Sequence, residues 1–318
     1  MDIASFLETI GAPGHPLAMR DLRPLSDLEG SLRSDFLANW GAIVPDRRLE
    51  IARSLVELAE DNVDLQFNQV LEWCLEDDEA AVRAVAVEGL WESDSPRILR
   101  RLIAVLQNDP APGVREVAAL VLSRFAYMAE MGDIDEDDGD ALRAALVDIV
   151  EDDGQPVAVR RRALESAGYY ASDDDVQALV ADAYTGDDSD MQESSLVAMG
   201  RSMLPRWIPT IERELGSRSP AMRYEAARAA GEMADEARPL VVQVARLLGD
   251  SDTEVALAAI WALGQIGGEA ATRALRQVQS RSESEARIQA AGDALAELAL
   301  DQGIIGDVRG FPRPGSKN

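Results

Sequence analysis

The sequence predicts an all-α solenoid of about seven to eight stacked helix pairs, and three observations carry that prediction. The first is a repeated pattern: an apolar residue, usually followed by Arg, then Ala or Ser four places on and a small or aliphatic residue eight places on. It starts at Val82, Val114, Val159, Met191, Met222, Val255 and Ala286. The second is the interval between starts, 32, 45, 32, 31, 33 and 31 residues, which falls in the range of helix-pair repeats. The third is composition. Apolar residues make up 47% and aromatics only 5%, a balance set by Ala, Leu and Val that suits closely packed helices and predicts no strands.

Residues 1–45 lie outside the regular array and read as an N-terminal helical cap. A first helix carries Ile3, Phe6, Leu7 and Ile10, and after a Gly-Pro turn come Leu22, Leu25, Leu28, Leu32, Phe36 and Trp40. Terminal units must hide the apolar face that has no neighbour. The array then runs over 46–300, opening with a degenerate unit at Asp46 to Glu60. Each patterned helix is preceded by an amphipathic first helix, at Leu65–Leu75, Pro96–Leu106, Asp140–Val150, Asp174–Tyr184, Pro205–Leu215, Arg238–Leu248 and Glu269–Val278. Pro96 and Pro205 sit where a first helical turn tolerates proline.

Short acidic turns join the helices of a pair, such as Glu76-Asp77-Asp78 and Gly249-Asp250-Ser251-Asp252. Carboxylates there are expected to cap the next helix and oppose the positive end of its dipole, each contributing about 0.3–1 kcal/mol. In the patterned helix from Val255, the residues Val255, Ala258, Ala259, Ala262, Leu263 and Ile266 share one face, which is predicted to be buried.

The interval of 45 reflects an acidic insertion at 127–140, expected to loop out at one edge. Asp133, Asp135 and Asp137 have the alternation of a calcium loop. Asp138 stands where the turn glycine belongs, however, and Ala144 where the bidentate Glu belongs. Residues 301–318 are rich in Gly and Pro and read as a flexible tail.

Charge and single occurrences narrow the function. The net charge of -27, from 58 acidic and 31 basic residues, repels nucleic acid phosphates and anionic lipid and favours a protein partner with a basic patch. A solubility role for the acidity is the competing reading. The only Cys is Cys74, the only His is His15 and the only Lys is Lys317. No internal disulfide, paired-His metal site or interior Schiff-base lysine can form. Neither a metal nor a cofactor is expected. Asp2 and Glu8 stand where a secretory signal carries positive charge, and the apolar run Val255 to Leu263 is too short for a membrane span. A cytoplasmic monomer is expected.

The stretch from Asp250 to Gly268, with Asp77 to Leu90 and Ser217 to Gly231 close behind, resembles HEAT-like repeats of the type named after phycobilisome lyases. The likeness covers roughly 46–300 and implies a right-handed α/α superhelix, a fold that does not specify an activity. In such repeats an Asp of the turn and the Arg after the first apolar residue often form a ladder. Here Asp77 with Arg83 and Asp109 with Arg115 keep the spacing, Arg160, Arg223 and Arg287 keep only the Arg, and Gln192 and Ala256 replace it. Exposed pairs of this kind add about 0–1 kcal/mol each. Deoxyhypusine hydroxylases share the repeat but hold iron on His-Glu pairs, which this chain lacks.

The resemblance also implies that second helices line a concave face. Its candidate partner-binding residues are Glu88, Trp91, Glu92, Arg124, Tyr169, Arg201, Tyr224, Arg228, Trp261 and Gln265. Aromatics and Arg dominate many binding surfaces; the competing reading has Trp91 and Trp261 filling space between helices, as Trp207 does beside its prolines. The expected function is a noncatalytic protein-interaction scaffold or adaptor. The alternative is a bilin-lyase-like accessory enzyme or cofactor chaperone.

Overall fold

The computed structural model describes residues 2–12, 14 and 16–309, with side chains described as far as Leu300. His15, Lys317 and the expected tail beyond residue 309 therefore lie outside the described residues. Among the described residues every regular element is helical. The chain divides into two compact units, residues 1–170 and 171–318.

The first unit begins with α1 (Ile3–Gly11), α2 (Met19–Leu22), α3 (Arg33–Trp40) and α4 (Pro45–Asp61). The helix pairs α5 (Asn68–Cys74) with α6 (Ala80–Glu88) and α7 (Pro96–Asn108) with α8 (Pro112–Met131) follow, then α9 (Glu136–Glu151) with α10 (Val157–Ala167). Phe36 stacks on Trp40 and tilts against Trp73, with centroids 5.1 Å apart in each case. The expected cap is thus joined to the first full pair by a buried aromatic cluster. Two arginines that the sequence reading passed over reinforce the joint. Arg47 donates to the Ile10 carbonyl at 2.7 Å and Arg48 to the Ile43 carbonyl at 2.8 Å.

The acidic insertion does not loop out. Its residues extend α8 to Met131 and start α9 at Glu136, leaving only a tight turn at Gly132, which has φ 76°. The physical reason is an ion pair: the buried Asp138 accepts two bonds from Arg100 on α7, at 2.7 and 2.8 Å. Asp135 caps α9 through the Asp137 N–H.

The second unit runs from α11 (Asp174–Thr185) and α12 (Ser189–Ser202) to α13 (Ile208–Glu214) and α14 (Pro220–Glu232). It continues through α15 (Val241–Arg246), α16 (Thr253–Ile266), α17 (Gly268–Arg281) and α18 (Glu285–Arg309). Short 3-10 turns flank α15, at Ala234–Leu240 and Leu247–Gly249, where one continuous helix was expected. Pro239 lies inside that stretch and cannot donate a backbone bond. The backbone of α18 stays helical as far as Arg309.

Burial fixes the register of the patterned helices. Val255, Ala258, Ala259, Ala262, Leu263 and Ile266 are all buried, as their spacing predicts. Small residues on this face set how close neighbouring helices come. At Gly200 an added Cβ would lie 2.7 Å from the Ala229 Cα, so α12 and α14 approach backbone to backbone. Turn carboxylates cap as expected. Asp188 accepts from the Met191 N–H and Asp252 from the Val255 N–H, satisfying donors that a helix start leaves open.

Candidate functional site

Three clamps, built alike, hold the pairs in line. Arg83 on α6 reaches forward 26 residues to Asp109, with Nε donating at 2.7 Å and Nη2 at 2.9 Å. Its Nη1 donates back to the Asp77 carbonyl. Asp109 in turn accepts the Ala111 N–H at 2.8 Å, which fixes the turn before α8. The second unit repeats the device: Arg223 pairs with Asp250 at 2.7 and 2.8 Å, and Asp250 accepts the Asp252 N–H. The third clamp joins Arg48 to Asp77, 2.9 Å apart, and Trp40 donates to the same carboxylate at 2.6 Å.

These geometries revise the expected ladder in two respects. The carboxylate partner lies in the following repeat, so Arg223, read as unpaired, has its Asp 27 residues on. The pairs of the first unit are also buried, with Arg48 and Asp77 only 3% and 1% exposed, and Arg223 with Asp250 is part-buried. The planar guanidinium can serve both carboxylate oxygens and a backbone carbonyl at once, which an ammonium cannot. Burial pushes the Asp109 carboxyl up, but Arg83, the Ala111 N–H and Arg115 together hold it below the usual range. Asp250 is held low chiefly by Arg223. Both arginines are raised in return, chiefly by those carboxylates.

On this frame the candidate partner-binding residues fall into separate groups. In the first unit, Glu88 is the last residue of α6, while Trp91 and Glu92 lie in the turn after it, not on the helix as their spacing suggested. All three are exposed, Trp91 by 46%. Trp91 borders a recess of about 250 Å3 together with Val56, Glu60, Val63, Leu71 and Glu92. Farther along, Tyr169 meets Tyr127 edge to face at 5.7 Å. Exposed Arg124 lies one turn before Tyr127 on α8. Tyr127 had been assigned to the insertion; its spacing of three from Arg124 was the available signal.

In the second unit, Arg228 and Trp261 come together and Tyr224 stands one turn before Arg228 on α14. The Arg228 guanidinium lies 3.8 Å from the Trp261 ring centroid, and its Nη2 is 3.8 Å from Glu232. The indole also lies against α14, since a Cβ at Gly231 would come within 2.3 Å of it. Trp261 is therefore half-buried by packing, whereas Gln265, one turn on, is exposed. Arg201 is half-buried on α12. Trp207 donates to the Gln177 side chain at 3.0 Å, with Arg206 over its ring, a structural role. Sequence reasoning missed a comparable cluster in which Arg213 covers Tyr184 and donates to its hydroxyl, which donates to Glu214.

Cys74 is fully buried, and burial raises its thiol far above the ordinary range. Its nucleophilic form is suppressed. Among the described residues no group of three His, Cys, Asp or Glu side chains is placed to hold a metal ion, and no helix is long and apolar enough to cross a membrane.

The family model described as HEAT repeats matches residues 68–153 and 208–296, more than half of the chain. No curated protein matches it. Among solved structures, the complex of CpcE and CpcF of phycocyanin lyase from Nostoc sp. is 18% identical with a TM-score of 0.47. That match covers 73% of this chain and 94% of that one. YibA of Escherichia coli is 16% identical with a TM-score of 0.44, over 78% and 96%. An engineered protein is 18% identical with a TM-score of 0.43, over 93% and 88%.

Proposed function

The chain belongs to the HEAT repeats, and from that premise we propose that it is a noncatalytic scaffold that binds a protein partner. The observation that carries the reading is the display of aromatic and arginine side chains on the second helices and, for Tyr169, in the turn that follows one. In the first unit these are Tyr127 and Tyr169 beside Arg124; in the second, Tyr224, Arg228 and Trp261. Such residues bind best where they are held in place before the partner arrives, because less side-chain freedom is lost on contact. The buried clamps supply that rigidity.

In this reading residues 1–45 cap a repeat array over 46–300, and the protein acts as a cytoplasmic monomer. The net charge of -27 favours a partner with a basic patch, drawn in by long-range attraction that salt screens. Affinity purification from the native organism tests this. A partner retained at low salt and lost progressively as salt rises is the expected result, and recovery of only the bare protein at low salt overturns it.

A further inference from the structure

The chain has five Trp residues, and four are accounted for. Trp40 and Trp73 are buried in the aromatic cluster at the first pair. Trp207 and Trp261 each have an arginine of the same chain over the ring, at 5.1 and 3.8 Å from the centroid. Trp91 is left 46% exposed, and among the described residues no cation lies against it.

Its surroundings combine an indole face, an apolar wall and two carboxylates. The recess it borders is lined on the apolar side by Val56, Val63 and Leu71, and Val63 is 84% exposed. Glu60 from the end of α4 and Glu92 from the turn after α6 also line it. Both carboxylates are exposed and, among the described residues, neither makes a hydrogen bond or ion pair. The second unit shows the same chemistry within the chain, an indole, a guanidinium on its face and the Glu232 carboxylate beside the guanidinium. At about 250 Å3, the recess is smaller than the roughly 300–1,000 Å3 typical of pockets for drug-sized molecules, and it suits one long side chain.

We propose that this recess is the docking point for an arginine side chain of a basic segment on the protein partner, its guanidinium stacked on Trp91 between Glu60 and Glu92. The assignment rests on the scaffold reading and adds to it where the partner's charge is read. Arginine is favoured over lysine because its planar, weakly hydrated head stacks on an indole while its edges remain free to bond carboxylates.

The test is a titration of the full chain with capped Gly-Arg-Gly, followed through the indole N–H signals by two-dimensional NMR, the Trp91 signal being assigned by its loss in Trp91→Phe. The expected result is a saturable shift at Trp91 and none at Trp261. The isosteric peptide carrying neutral citrulline should give no shift, and affinity should fall by about tenfold in the Glu60→Gln, Glu92→Gln double variant. Because both carboxylates are exposed and unpaired, that variant should keep the thermal midpoint of the parent. No shift at Trp91, an equal response to citrulline, undiminished affinity in the double variant, or tighter binding of free spermidine than of the peptide would each overturn the proposal. Purification separates this from the scaffold reading. A partner held equally by the parent and the double variant sinks the arginine site alone, whereas no partner on the parent sinks the scaffold.

Discussion

Trp91 in the first unit and Trp261 in the second are the same residue type on the same kind of repeat, and the chain treats them in opposite ways. Trp261 lies on α16, where α14 brings Arg228 over its face and Gly231 against its edge. Trp91 lies one turn beyond its helix, beside carboxylates, and among the described residues no arginine covers it. What separates a covered aromatic from an open one is therefore whether the neighbouring helix supplies a cation, not the aromatic residue itself. Each stands on a frame of arginine–carboxylate clamps within its own unit.

Removing that frame should have the largest effect and should erase the comparison. In Arg83→Ala the Asp109 carboxylate would stay buried without its partner, and in Arg223→Ala the same would befall Asp250. Loss of one partner of a buried pair costs about 3–5 kcal/mol, with the more exposed Arg223 pair toward the lower end. Urea unfolding at neutral pH measures it, and a loss under about 1 kcal/mol would mean that the clamps behave as ordinary surface pairs.

A smaller change should act on one side only. In Gly231→Ala the new Cβ meets the Trp261 ring at 2.3 Å and the Ala262 Cα at 3.0 Å, so the indole must leave its seat. Overpacking of this kind costs about 1–3 kcal/mol, and exposure of Trp261 to a fluorescence quencher should rise with it. Replacing the rings sharpens the contrast further. Trp261→Leu forfeits the arginine contact and part of the packing, about 1–2 kcal/mol, while Trp91→Leu should leave stability within about 0.5 kcal/mol. Equal losses at the two positions would remove the distinction between them.

Much of this was legible in the residues, and the reason is periodicity. Ala258, Ala259 and Ala262 recur at helical spacing, and only a face pressed against neighbouring helices requires residues so small in that order. The clamps were legible in kind but not in partner, because Arg83 and Asp109 stand 26 residues apart and meet only once the repeats stack. The insertion was misread for a similar cause. A run of Asp looks solvated until Arg100, 38 residues before Asp138, is seen to hold it. Whether Trp91 or Trp261 would be covered depended on a side chain from another helix, which spacing along one helix does not reveal.

The smallest effect should appear in acid and separates the charge of a clamp from its packing. Asp109 and Asp250 are held below the unfolded carboxylate value of about 3.9, so the native state favours their ionised form. That contribution is fully present above pH about 4 and declines as pH falls through the lower native value. Asp109→Asn and Asp250→Asn cannot titrate there. Their deficit relative to the parent should accordingly be widest at neutral pH and narrow as the pH is lowered below about 4, as measured by urea unfolding across that range. The arginines, raised far above neutrality, add no slope in this window. A deficit that stays constant with pH would show that the asparagine variants suffer from altered turn geometry before α8 and α16, not from a lost charge.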